Sequence, residues 1–413
     1  MKESQLRELA ADFLVPLFSG VQLDSAAVPS TLREDRVALL DPCAIGFKAS
    51  SKDNYRLVLR RSQPFGKVRA GTLSESDVVR AFVNVVGNME FGLRQWYSDD
   101  LRIMFPRRVV ARTLCGTKAG RAAVLAALDQ LTDWASRQYE GKSIAAAVGF
   151  VPDDNPGAVD FAEMCKRDFS MVMSNGLDTL LTCNMRGQVV GYDTLTLPSV
   201  VTGFAPYRLV GVAHWAGSGK IAVTLNRTGE ILVFRDHELR FARRAGRWHF
   251  LTPAQVIITQ MGGPQNHPLR HAVYETAIDA SFARTGACIG IVTSGHMSEW
   301  TALATLNDDW LTPAVSVKAK AVAQMVGGKL YHQLDRRLRQ ELAAIDGATV
   351  LGTDGTLLAV GAILDITGGS TGGGRRAAAL ALSRLGVGIK ISQDGGIEGF
   401  HEGSSEPRFR VMK

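Results

Sequence analysis

The chain is 413 residues long, 46% hydrophobic and 21% charged, which is ordinary for a folded protein and long enough for two or three domains. A net charge of +7 and a pI near 9.2 favour anionic partners, yet no run of five or more basic residues marks a nucleic-acid arm. No stretch approaches the roughly eighteen apolar residues of a membrane span and no apolar leader follows Met1, so no membrane partner and a cytoplasmic location are expected.

Residues 5–14 place Leu6, Leu9, Ala10, Phe13 and Leu14 on one helical face that ends at Pro16. Short apolar runs follow, among them 37–40 and 55–59, and residues 119–138 return to helical spacing through Val124, Leu125, Leu128, Leu131 and Trp134. Five cysteines (Cys43, Cys115, Cys165, Cys183 and Cys288) are scattered without a C-x-x-C pair, which argues for buried thiols and against a disulfide framework or zinc site. The basic stretch of Arg107, Arg108, Arg112, Lys118 and Arg121 reads as a solvated face.

Between about 190 and 252 the period changes to two. Segments 220–226, 230–235, 238–244 and 247–251 read as an antiparallel meander, with Phe234, Phe241, Trp248 and Phe250 expected on one packed face. Ala216-Gly217-Ser218-Gly219-Lys220 imitates the end of a phosphate-binding P-loop, but His214 stands where its first glycine belongs and Ile221 where its Ser/Thr belongs; a turn into a strand is the better reading. His267 and His271 are four apart without a third ligand, and His296 and His401 add no metal spacing.

After Pro253 the order becomes helix, strand, helix, strand, strand, helix, strand, strand, the pattern of an α/β layered domain. A helix is predicted over 268–284 and a strand over 287–292. Residues 314–343 read as largely helical, broken near Gly327-Gly328, with Leu330, Leu334, Leu338 and Leu342 as a buried stripe. Strands at 347–352 and 356–364 flank an Asp354-Gly355 turn; a helix at 375–385, a strand at 387–392 and a hairpin arm at 397–401 complete the set.

Three segments of this last domain carry candidate chemistry. Asp346-Gly347-Ala348 puts a carboxylate at a helix-to-strand junction. The run Thr367 to Gly374, with Ser370, Thr371, Gly373 and Gly374, opens into Arg375-Arg376 and a helix, so that backbone N–H groups, a helix N-terminus and two guanidiniums could receive phosphate. Ser392-Gln393-Asp394-Gly395-Gly396 supplies a second carboxylate and a hydroxyl. Taken singly, each is also a common turn or linker.

Their order and spacing resemble the diadenylate cyclase domain family, whose members carry an Asp-Gly-Ala motif, two strands, a Gly-Thr-Arg-His-Arg motif opening a helix, and a strand ending in Ser-Glu-Glu-Thr-Gly. The chain reads IDGATVLGTDGTLLAVGAILD, GGRRAAALALS and GIKISQDGGI, and upstream GACIGIV is similar to an early strand of that family. The resemblance spans roughly 265–404, most specifically 345–397. It implies a C-terminal mixed β-sheet flanked by helices over 265–413; ahead of it, apolar spacing alone gives the meander (191–264) and an N-terminal α/β domain (1–190) of unassigned role, which resemble no named family.

By position, the resemblance makes Asp346 and Asp394 catalytic carboxylates holding Mg²⁺ or Mn²⁺. Gly347 and Ala348 would lie along the nucleotide, and Ser370, Thr371, Gly373, Gly374, Arg375, Arg376 and Ser392 would hold phosphates. It implies nucleotidyl transfer between nucleoside triphosphates (ATP by family default), with pyrophosphate released and two copies facing each other in a homo-oligomer. Two departures stand out: Arg376 and Ala377 replace the family's His-Arg, and Gln393 replaces a carboxylate. One lost phosphate-binding arginine removes about 1.5–3 kcal/mol, roughly ten- to a hundredfold in rate if carried into the transition state. The alternative is a degenerate member that binds a nucleotide as a sensor and regulates a partner protein. A third reading, a nucleic-acid-binding protein with an accidental motif match, would show as steep salt dependence of binding.

Overall fold

The computed structural model describes residues 2–32, 34–66, 72–87, 98–152, 155–198, 203–262, 267–304, 307–366 and 373–412. The protein is mixed α/β, with helices flanking mixed and antiparallel sheets. It separates into two compact units, Met1–Pro253 and Ala254–Lys413.

The first unit begins with helix α1 (Glu3–Phe13), whose Leu6, Ala10 and Phe13 are buried as its spacing predicts. Strands β1 (Val37–Asp41), β2 (Ala44–Phe47) and β3 (Tyr55–Arg60) form an antiparallel sheet with two short strands against β3. Helices α2 (Glu75–Gly87), α3 (Ser98–Leu114) and α4 (Lys118–Trp134) follow. The Thr117 hydroxyl accepts the Gly120 N–H at 3.1 Å and so starts α4, which buries Val124, Leu128, Leu131 and Trp134.

An eight-stranded sheet completes this unit. Its labelled members are β4 (Ala146–Val151), β5 (Thr179–Asn184), β6 (Gln188–Thr194), then, beyond helix α5 (Val210–Trp215), β7 (Ile221–Leu225), β8 (Ile231–Arg235), β9 (Glu238–Arg244) and β10 (Arg247–Phe250). Their order is β10-β9-β8-β7-β4-β5-β6, with the short Val159–Asp160 strand outside β6. The meander therefore does not stand apart from the N-terminal α/β region. Strand β7 pairs antiparallel with β4, which satisfies both of its backbone edges and merges the segments expected at 1–190 and 191–264 into one sheet. Phe241, Trp248 and Phe250 pack on one face as expected, but Phe234 pairs with Leu239 beyond a bulge after Val233 and lies on the other face.

The P-loop-like run is a turn. Lys220 N–H donates to the Gly217 carbonyl at 3.1 Å, the Lys220 ammonium lies 4.9 Å from the Trp215 ring centroid, and a strand follows where a P-loop requires a helix.

The second unit contains α6 (Ala254–Gln260), α7 (His267–Ala283), β11 (Ala287–Val292), α8 (Val317–Val326), α9 (Arg336–Ala344), β12 (Ala348–Gly352), β13 (Leu357–Ala362), α10 (Gly374–Ser383), β14 (Gly386–Ile391), β15 (Ile397–His401) and β16 (Phe409–Val411). The predicted leucine-striped helix is shorter than expected. The Asp335 carboxylate accepts the N–H groups of Arg337 and Leu338, so α9 starts only at Arg336, and Leu330 and Leu334 flank a separate turn.

The sheet order is β13-β12-β11-β14-β15-β16; β11 and β12 are parallel and every other neighbour pair is antiparallel. Helix α10 lies on one face. A Cβ on Gly388 would fall 1.8 Å from the Ala379 carbonyl oxygen, and one on Gly290, its cross-strand partner, 2.7 Å from Leu382 Cδ1. Only this glycine pair lets the helix approach so closely.

Two outcomes are expected in the first unit. The Arg61–Glu75 pair (2.7 Å, side chains 1% and 0% exposed) is enclosed by bonds from Arg61 to Gln63, Pro64 and Thr252. Arg61→Met leaves a buried carboxylate without its cation and should destabilise by about 3–5 kcal/mol in urea unfolding; a loss under about 1 kcal/mol would refute that role.

Burial, then Arg244 and Arg247, hold the His249 imidazole down at about 4. Its stabilisation is complete above its ordinary value near 6.5 and is lost as pH falls through about 4, because the unfolded chain takes the proton more readily. The unfolding midpoint of the first unit should therefore drop over that interval, and His249→Gln should flatten the decline; equal slopes would exclude His249 as the cause.

Candidate functional site

The register of the second sheet brings the sequence-predicted segments to one end of it. Ala348 begins β12, Cys288 stands beside it in β11, and Ala287 pairs with Ile391, the last residue of β14. The Asp346 junction, the start of β11 and the 392–396 turn thus lie side by side. One strand separates the two carboxylate-bearing segments, a backbone spacing of about 10 Å at two inter-strand steps. Ala348 also pairs with Ala362, so the chain leaving β13 emerges at the same end.

One continuous row of paired residues runs across all six strands: Ala362, Ala348, Cys288, Lys390, Glu398 and Arg410. Directly paired residues share a face, and Cys288 and Lys390 lie two residues from Gly290 and Gly388, on the α10 side. Its middle members, Cys288, Lys390 and Glu398, stand on the three strands that α10 covers and form a floor beneath that helix.

Arg375 and Arg376 diverge from the first turn of α10. Arg375 Nη1 lies 2.7 Å from where a Cβ on Gly286 would stand, with Gln393 Cγ 3.3 Å from the same point, so the guanidinium rests between the start of β11 and the 392–396 turn. Among the described residues it has no hydrogen-bond or ion-pair partner. Arg376 does not share this position. It donates to the Ser405 carbonyl at 2.8 Å, lies 3.6 Å from the Glu398 carboxylate and covers the Phe400 ring at 5.1 Å. Successive helical residues point about 100° apart, so a joint two-arginine grip on one phosphate, as expected, is not the arrangement found. Gly373 has φ +84 and Gly374 starts the helix; Ser370 and Thr371 lie outside the described residues.

Asp346 and Asp394 are both exposed. Asp346 Oδ1 accepts the Gly347 N–H at 3.1 Å and Asp394 Oδ1 the Gly396 N–H at 3.2 Å; neither carboxylate meets a cation among the described residues. Ser392 shapes its turn through backbone bonds, its N–H donating to the Gly396 carbonyl at 2.9 Å and its carbonyl accepting the Gly395 N–H at 3.0 Å.

Sequence reasoning missed the residues that hold this turn. The Ser281 hydroxyl donates to the Gly395 carbonyl at 2.6 Å, and the Arg284 guanidinium donates to the Asp394 carbonyl. Both come from the C-terminal end of α7, where Arg284 adopts φ +60. Helix α7 is fixed in turn by Arg336 of α9, which grips Asp279 at 2.7 and 2.9 Å. Gly286 after the last helical turn was the only available signal, and it marks a helix end. Lys318 was missed too: its ammonium donates to the Gly361 carbonyl at 3.4 Å and pairs with Asp309, beside the Asp346 backbone.

Burial pushes the Cys288 thiol up to about 12, with Arg375 opposing, so the floor presents a protonated thiol and no nucleophile. No group of three or more His, Cys, Asp or Glu that could hold a metal occurs among the described residues; His271 lies 3.9 Å from Glu275. The two exposed carboxylates do not make an all-protein metal cage. No helix among the described residues is long and apolar enough to cross a membrane.

The two halves of the Asp346-Gly347 motif should separate experimentally. Gly347 has φ +105, and a Cβ there would stand 2.4 Å from the Gly361 carbonyl carbon. Gly347→Ala should destabilise the second unit by about 2 kcal/mol or more in denaturant unfolding. Asp346→Asn, at an exposed position, should leave stability within about 0.5 kcal/mol. Equal effects on stability would contradict this division.

No family model matches the chain, and no curated protein does. Among solved structures, DacA from Staphylococcus aureus, a double mutant, is similar over 33% of this chain and 83% of its own, at 17% identity and a TM-score of 0.22. A hypothetical membrane spanning protein from Bacillus cereus is similar over 38% of this chain and 69% of its own, at 18% identity and a TM-score of 0.23.

Proposed function

We propose that the second unit is a nucleotidyltransferase domain that binds nucleoside triphosphates and joins them into a dinucleotide, cyclic or linear, with release of pyrophosphate. The observation that supports this reading is the meeting, at one sheet end, of two carboxylates, the first turn of a ten-residue helix, and Arg375, none of the three side chains having an oppositely charged partner among the described residues.

In the reaction a 3′-hydroxyl attacks an α-phosphate and pyrophosphate departs. The chain supplies position and charge for this and no side-chain nucleophile. Helix α10 and Arg375 receive phosphate oxygens; the open N–H groups of the first helical turn and the helix dipole favour the anion there. Asp346 and Asp394 would hold a divalent ion, which when bound neutralises charge developing on the phosphates. Ser281 and Arg284 fix the backbone of the Asp394 turn, so its carboxylate need not be ordered when substrate arrives. As each site would present one nucleotide, transfer between two calls for a second copy of the chain facing the first.

The diversion of Arg376 to Glu398 favours a second reading, in which the site binds a nucleotide without turnover and signals to a partner protein. One measurement separates the two. The full chain is incubated with Mg²⁺ or Mn²⁺ and each ribo- and deoxynucleoside triphosphate, and products are identified by mass spectrometry beside Asp346→Asn and Asp394→Asn. A dinucleotide whose formation falls at least a hundredfold in both variants supports the enzyme; saturable binding with no product supports the sensor. No nucleotide binding defeats both.

A further inference from the structure

The floor row changes character along its length. Ala362 and Ala348 are buried and apolar, Cys288 is a neutral thiol, and then Lys390, Glu398 and Arg410 carry charge. Glu398, whose side chain is 2% exposed, has Lys390 at 3.2 Å, Arg376 at 3.6 Å and Arg410 at 3.8 Å. Three cations converge on one carboxylate. The three cations exceed the one carboxylate they surround, and a local excess of positive charge favours an anion. Their side chains are 13%, 20% and 28% exposed, so each retains a face toward solvent while sitting where the field is poorly screened.

We infer that Lys390, Arg376 and Arg410 form a second anion position, one that takes the outer phosphates of a polyphosphate chain, while Arg375 takes the inner one. The two arginines of the α10 first turn thus serve successive phosphates. The ligand class follows from two separate cationic positions, one for a first phosphate at Arg375 and one for further phosphates at Lys390. A nucleoside triphosphate or diphosphate fits this order, and a monophosphate leaves the charged end unused. The orientation of the ligand rests on the proposed nucleotide-binding reading; the outer anion position does not, because it can be probed with an inorganic polyanion.

The test is calorimetric titration of the full chain with inorganic tripolyphosphate and with orthophosphate at constant ionic strength. Tripolyphosphate should bind at least tenfold more tightly than orthophosphate. Lys390→Gln should weaken tripolyphosphate at least tenfold and change orthophosphate less than threefold, and Lys390→Arg should restore binding. Glu398→Gln, which removes the negative charge at nearly constant shape, should tighten tripolyphosphate and covers the case in which Lys390→Gln does not fold. Equal affinities for the two anions, a folded Lys390→Gln that binds tripolyphosphate like the parent, or no tightening in Glu398→Gln would each overturn the inference. If nucleoside triphosphates fail to bind while tripolyphosphate binds through Lys390, the proposed function falls and the anion position stands. If dinucleotide forms but Lys390→Gln alters neither tripolyphosphate affinity nor turnover, the reverse holds.

Discussion

The seating of α10 on Gly290 and Gly388 is the contact on which the rest of the second unit's site depends. Two strands that offer no side chain at one cross-strand pair let a helix backbone come down onto the sheet. With Ala379 and Leu382 fixed there, the helix has one position along its axis, and its first turn must overhang the row at Cys288 and Lys390. A larger residue at either glycine would lift the helix and carry its N-terminus, with both arginines, away from the floor.

That placement explains why adjacent arginines have different surroundings. Arg375 faces the gap between Gly286 and Gln393, and Arg376 faces Glu398 and Phe400, because a helix turns its side chains faster than a strand spaces its neighbours. Written side by side in the sequence they look like one basic motif. In the fold they flank the helix axis, and each inherits the chemistry of the strand beneath it.

Much of the architecture was legible from periodicity. The helix at Glu3–Phe13, the helix of residues 118–134, the four meander strands and the order of elements after Pro253 follow from apolar spacing and turn residues, which are local signals. What was not legible depends on long-range pairing. Nothing local states that β7 will pair with β4, that Val233 and not Phe234 will stand opposite Phe241, or that β14 will insert beside β11 and bring residues 346 and 394 to one end. The candidate acids and Arg375 could be named from motif order. Lys390, Glu398 and Arg410 could not, since each sits in an ordinary strand and only the register aligns them. Ser281 and Arg284 act through their carbonyl partners more than a hundred positions away.

The thiol of Cys288 has a practical consequence. It lies in the floor row at 1% exposure and stays protonated, whereas Cys43 is partly exposed. Electrophiles that consume thiolates will therefore label the first unit and spare the second. A fluorophore placed at Cys43 therefore marks the first unit and leaves the Cys288 thiol of the second sheet unmodified.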